Sequence, residues 1–273
     1  MLFFSQKNRT FAANILLSMP RYTVTLLAIA LFSAVSCQNT PSAPGSAPLV
    51  DAQGRPLFFA SFGTPVLDGS AADDIWDACD WYPIHQVWAG TAPGPTDFSG
   101  RYKLAWDENN LYVLAEITDD SLFDIHPEGL ERYWDDDGLE IHLDEDASGG
   151  DHSYNHNAFT YHIALDGRVT DVAPDSVYRF YDDHCFTRRI TRQGVSTWEM
   201  AVRIFDGAKF KDDAENIPKL LKAGKKMGFA LAYGDNDHSA ARESLIGNVP
   251  NHHSGPDSAF WNNAGSLGIL ELK

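Results

Sequence analysis

Short runs in which apolar and polar residues alternate recur from about residue 100 to the end of the chain. Residues 101–106 alternate, 107–110 read as a turn, and 111–117 return, which predicts a β-hairpin. Residues 138–144 alternate as well. Successive strand side chains point to opposite faces, so Leu139, Ile141 and Leu143 share one face and Glu140 and His142 the other. Residues 159–165 run into an Asp166-Gly167 turn, and 198–204, 227–233 and 267–272 are further predicted strands. Only residues 213–223 have a helical pattern, with Pro218 at a poor interior position. Many short strands with Gly, Asp and Asn turns predict an all-β fold: one antiparallel β-sandwich, jelly-roll-like, with no internal repeat or heptad.

The first part of the chain reads differently. An apolar run at 23–35 follows Arg21 and ends in Ala34-Val35-Ser36-Cys37. A basic start, a short apolar stretch and small residues before a cut describe a secretory signal, and the run is short for a bilayer span. The ending resembles a bacterial lipobox, which makes Cys37 the expected acylated residue and 1–36 the signal peptide. Met19-Pro20-Arg21 would itself open a compact signal, so Met19 is an expected true start. Residues 37–57, rich in Pro, Ser, Ala and Gly, are expected to be a flexible tether, and 58–273 the folded body. Gln38 rather than Asp after the cysteine points to the outer membrane as the destination.

Charge sharpens this. The chain of 273 residues carries a net charge of −17. Lys7, Arg9 and Arg21 precede Cys37 with no acid, which leaves 38 acids against 18 bases beyond it, a net of −20. Binding phosphates needs clustered Lys and Arg, so nucleic acid and an anionic membrane surface are excluded as partners of the body. Cys79 and Cys185 remain; in an oxidising compartment they pair or stay as two buried thiols, and both readings stand.

Catalytic signatures are scarce. The chain has no Gly-x-Ser-x-Gly elbow, phosphate-cradling glycine loop, dinucleotide fingerprint or paired-Cys zinc pattern. His152 and His156, like His252 and His253, read as loop residues. Paired carboxylates abound, which leaves a glycoside hydrolase open on residue counts alone. The acidic groups Asp119-Asp120, Asp135-Asp136-Asp137 and Asp144-Glu145-Asp146 with Asp151 offer the hard oxygens that calcium takes, without the spacing of an EF-hand. Asp119, Asp144, Asp146 and Asp151 are the expected calcium ligands; solvated acidic loops are the other reading. Aromatics point further. Trp134 and Trp261 sit in polar loops just before strands, whereas Trp76, Trp106 and Trp198 lie in apolar patterns. Indoles stack on the apolar faces of sugar rings while flanking polar groups take the hydroxyls.

Six segments, in order, resemble the family 9 carbohydrate-binding modules: Pro65-Val-Leu-Asp-Gly69 with Asp74-Ile-Trp76; Lys103-Leu-Ala-Trp-Asp-Glu-Asn-Asn-Leu-Tyr-Val113 with Asp119; Trp134-Asp-Asp-Asp-Gly-Leu-Glu-Ile-His-Leu-Asp144; Thr197-Trp-Glu-Met-Ala-Val202; Met227-Gly-Phe-Ala-Leu-Ala-Tyr-Gly-Asp-Asn-Asp237; and Trp261 with Gly268-Ile-Leu-Glu-Leu272. The resemblance covers about Pro65 to Leu272. It implies a β-sandwich with bound calcium and a slot where two Trp side chains, here Trp134 and Trp261, sandwich a sugar. Glu140 falls on the family's hydroxyl-binding Glu. His162 stands where sugar-binding members have Arg, and Ser258 or a neighbour where they have Asn.

The expectation is thus a non-catalytic sugar-binding lipoprotein, with polysaccharide-degrading enzymes as partners. Two rivals stand beside it: a glycoside hydrolase, and a related sandwich that holds haem through His142 and His162 or serves as an interaction module.

Overall fold

The structure, a computed structural model, describes residues 49–251 and 262–273. The predicted signal peptide, Cys37, Ser258 and Trp261 lie outside the described residues. Among the described residues fourteen strands carry the fold: β1 (Leu57–Phe62), β2 (Tyr82–Ile84), β3 (Gln86–Gly90), β4 (Phe98–Trp106), β5 (Leu111–Asp119), β6 (Gly138–Asp144), β7 (Phe159–Ala164), β8 (Val169–Val172), β9 (Tyr178–Phe180), β10 (Cys185–Arg192), β11 (Val195–Val202), β12 (Lys226–Asp235), β13 (Ser244–Gly247) and β14 (Gly268–Leu272). One short helix, α1 (Asp74–Asp77), places Trp76 in the interior.

Strand pairing follows one path, β10-β11-β5-β4-β1-β14-β12-β6-β7-β8-β9, with β2 on β4, and β13 joining β12 to β3. β1 turns the corner. Its residues 57–60 pair with β14 and its last two with β4, both parallel. These are the departures from the expected antiparallel pattern. The two halves of the path close on each other across one core: Trp198 and Met200 from one half join Ile141, Leu143 and Leu231 from the other. Phe98 stacks on Tyr233 at 5.4 Å, and Asn248 Nδ2 donates to the Tyr102 hydroxyl at 2.6 Å. The expected all-β sandwich is the architecture found.

Local chemistry explains individual elements. Asp107 closes the β4–β5 hairpin, because its Oδ1 accepts from the amides of Asn109 and Asn110 while Tyr112 donates to Oδ2 at 2.6 Å. The opening motif is a brace for the sandwich. The amides of Asp68 and Gly69 and the Trp76 indole all donate to Glu199, which is fully buried on β11. A carboxylate so buried is tolerated because three donors meet it. Gly69 is required there twice over: its φ is +77°, and a Cβ would come within 2.7 Å of Ile190.

Three expectations change. Residues 213–223 form no helix. Pro218 cannot donate to a helical ladder, and the segment instead lies along the body, with Lys219 N bonded to Ile204 O at 2.7 Å and Leu221 N to Glu108 O at 2.8 Å. Residues 49–56, expected in the tether, form a turn in which Asp51 binds the backbone and guanidinium of Arg55. Cys79 and Cys185 are free, buried thiols. Cys79 packs with Trp76, Tyr112 and Leu114, and Cys185 in the main core, so the disulfide reading falls.

Candidate functional site

Alternation decides what β6 offers. Leu139, Ile141 and Leu143 enter the core, which leaves Glu140 and His142 on the opposite face. β7 lies alongside with His162 directly opposite Glu140. Glu140 is nonetheless buried, and its ionised form survives only because it is surrounded by donors. Arg242 Nη1 reaches Oε1 at 2.5 Å, His162 Nε2 the same oxygen at 3.0 Å, and His142 Nε2 lies 3.3 Å from Oε2. Burial alone would push this carboxyl up. The nearby charges of His162 and Arg242, with hydrogen bonds from both histidines, outweigh it and hold Glu140 well below the usual carboxylate range. The result is a fixed acceptor.

Trp134 stands at the start of β6, in a tight turn of Tyr133–Asp135 entered through a left-handed Arg132 at φ 54°. Its indole is half-buried, in ring contact with Tyr133 at 5.1 Å and Tyr178 at 5.7 Å. The acidic run beside it is spent on holding this corner. Asp135 accepts from Arg132 and from the Arg242 amide, and Asp136 takes the amides of Ile125 and His126. The same bonds bring the 236–243 loop, and so Arg242, over Glu140.

Together these residues line a cavity of about 480 Å³, within the usual range of ligand pockets. Trp134 and Tyr178 meet it on one side, Glu140, His142 and His162 on its floor, and Tyr154 in the β6–β7 loop. Asp171 reaches it as well; burial pushes its carboxyl up to about 7, against the amides of Thr160 and Val172 that donate to it. The structure therefore brings Trp134, Glu140, His142 and His162 to one cavity. It adds Arg242, Asp171, Tyr178 and Tyr154. Arg242 had no signal in the sequence, since it lies about a hundred residues from Glu140 and only the fold joins them. Asp171 is an acid inside the short strand Val169-Thr-Asp-Val172 and could have been suspected.

The expected calcium ligands do not converge. Asp144 accepts from the Gly149 amide at 2.7 Å, Asp146 from Ser148 at 3.0 Å, and Asp151 from Ser153 at 2.8 Å. They cap their own turns, and among the described residues they build no cluster of three. Asp119 belongs elsewhere. Its carboxylate meets those of Asp137 and Asp235 within 4.8 Å, and overlapping groups bring in Asp97, Asp120 and Asp237. Burial, then neighbouring charge, pushes Asp137 up to about 8 and Asp235 to about 6. Buried Oδ1 atoms of Asp97, Asp235 and Asp237 lack a hydrogen-bond partner among the described residues. An all-oxygen donor set with unsatisfied, crowded carboxylates fits a hard divalent cation.

A family profile described as carbohydrate family 9 binding domain-like matches residues 67–273. The chain belongs to this family. As a family 9 domain it is 25% identical over 215 residues to an endo-1,4-beta-xylanase A of Thermotoga neapolitana, covering 78% of this chain and 17% of that protein. It is 31% identical over 214 residues to an exoglucanase of Acetivibrio thermocellus, with the same coverages of 78% and 17%. The family 9 chain thus spans about a sixth of the length of these relatives. Among solved structures, a family 9 module of Caldicellulosiruptor kristjanssonii in complex with cellotriose superimposes with a TM-score of 0.61 at 25% identity, covering 80% of this chain and 93% of that one. The same organism's module in complex with glucose gives 0.57 at 24% identity, covering 80% and 95%.

Proposed function

We propose that the protein captures a glycan or sugar end without cleaving it, holding a ring against Trp134 while Glu140 accepts from its hydroxyls and Arg242 and His162 donate. The observation that carries this reading is the half-buried Trp134 above a floor whose carboxylate is locked in its charged form. Glucose and cellotriose, the ligands of the similar modules, are the sugars to test first. Trp261 lies outside the described residues and enters as the second wall through the family resemblance. Losing an aromatic that is buried against a ligand costs on the order of 2 kcal/mol or more, roughly thirtyfold in affinity. Calorimetric titration should therefore show binding lost in Trp134→Ala and in Trp261→Ala, with each variant melting like the parent. Full binding in both would remove the clamp. The hydrolase names of the relatives belong to proteins far longer than this chain. The haem reading loses support because His142 and His162 both turn Nε2 toward Glu140.

Two further proposals complete the reading. A calcium ion held by Asp119, Asp137 and Asp235 braces the sandwich, read out as a melting temperature that rises with Ca²⁺ and falls with chelator. The body is exported and tethered through an acylated Cys37, read out by membrane fractionation of Cys37→Ala. Polysaccharide-degrading enzymes are the partners this placement would serve; a pull-down with the tethered protein that recovers none of them would remove that role.

A further inference from the structure

The slot has a second aromatic entrance. Trp134 approaches from the start of β6, while Tyr154 belongs to the loop that leaves its far end and returns at β7. At about 3.3 Å per residue, a seven-residue strand separates its two ends by about 20 Å, far more than one sugar ring spans. The two rings thus come from segments at opposite ends of β6 and line one cavity of about 480 Å³.

Tyr154 has the marks of a residue kept for a ligand. It is 48% exposed, and among the described residues its ring meets no other ring and its hydroxyl no hydrogen-bond partner. It adopts a left-handed φ of 51°, an arrangement uncommon for a bulky aromatic. The loop around it is firmly tied. His152 N bonds to Asn262 O at 3.1 Å, Asn157 Nδ2 to Gly149 O at 2.8 Å, and Asn157 N to Asn155 Oδ1 at 2.8 Å. An unpartnered ring on a pinned loop, in a strained conformation, lines the same cavity as Trp134.

We propose that Tyr154 is the stacking platform of an outer subsite, so that the slot takes a linked oligosaccharide of neutral pyranose rings and reads its length. This rests on the sugar-binding reading of the slot, and the test separates the two. The full chain is titrated with glucose and cellotriose, and with xylose and xylotriose, in the parent, Tyr154→Phe and Tyr154→Asn. Asn keeps a backbone that tolerates left-handed φ and removes the ring. The parent should bind the trisaccharide of one series more tightly than its monosaccharide. Tyr154→Asn should lose on the order of tenfold in trisaccharide affinity, with the monosaccharide and the melting temperature unchanged. Tyr154→Phe should keep the preference for length. Monosaccharide binding with an unaltered trisaccharide preference in Tyr154→Asn overturns the subsite and leaves the slot standing, as does an equal loss for both lengths. No binding of any of the four sugars by the parent overturns both.

Discussion

Asp171 and His184 are both kept from water, and burial moves them in opposite directions. Asp171 rises to about 7 and His184, packed against Phe205 with Nδ1 beside the Tyr161 hydroxyl at 2.8 Å, falls to about 4. The folded state holds the Asp171 proton over a range where the unfolded chain has lost it. Its contribution is therefore full below about pH 4 and lost as pH rises through about 7. His184 does the reverse: the folded state refuses a proton that the unfolded chain accepts, so stability drops as pH falls from about 6.5 toward 4. At about 1.4 kcal/mol per pH unit, each amounts to a few kcal/mol, and between about pH 4 and 6.5 they oppose one another. Replacing one should uncover the other. Denaturant unfolding of Asp171→Asn should gain stability relative to the parent between about pH 5 and pH 8, and His184→Phe should gain relative to the parent as pH drops from about 7 to 4.5. Differences independent of pH would show that neither group titrates in this window.

Among the elements, the β4–β5 hairpin and β6 were legible because a clean period of two is bounded by Asp, Asn and Gly turns. The same alternation aims Glu140 and His142 away from the core. β2 and β9 have only three residues each, and β10 carries Arg188 and Arg189 side by side, so no period marks them. Calcium shows a different limit. An aspartate that caps its own turn and one that joins a carboxylate cluster look alike in sequence, and the difference between Asp144 and Asp235 appears only when strands converge. The acidic cluster draws on the ends of β5 and β12, the lead into β6 and the turn before β4. Four segments bring mutually repelling carboxylates together here, and on the calcium proposal a shared counter-ion offsets that repulsion. A ligand that binds only the folded state at a hundred times its Kd stabilises by about 2.7 kcal/mol. Added Ca²⁺ should raise the melting temperature by several degrees over chelator, and Asp235→Asn should abolish most of that difference. Identical melts with and without Ca²⁺ would assign the cluster to protonated carboxylates instead.

For the whole molecule, the charge of the body opposes the proposed membrane tether. The portion beyond Cys37 carries 38 acids against 18 bases, and an anionic bilayer repels such a body rather than adsorbing it. Among the described residues no helix is long and apolar enough to cross a membrane. On the proposal that Cys37 is acylated, retention rests on the acyl chains, of which each buried CH₂ contributes about 0.8 kcal/mol and more than one chain is needed for a stable hold. On that proposal, the Pro/Ser/Ala/Gly composition between Cys37 and the sandwich would serve as a spacer that holds a repelled body off the surface. In fractionated cells the parent should stay with membranes through a high-salt wash and leave only with detergent. Cys37→Ala should move to the soluble fraction with its sugar affinity unchanged, because the described slot residues all lie far beyond Cys37 in the chain. Salt-released parent protein would point to charge-mediated adsorption, and a Cys37→Ala variant that still needs detergent would place the anchor in the apolar run at 23–35 rather than on the cysteine.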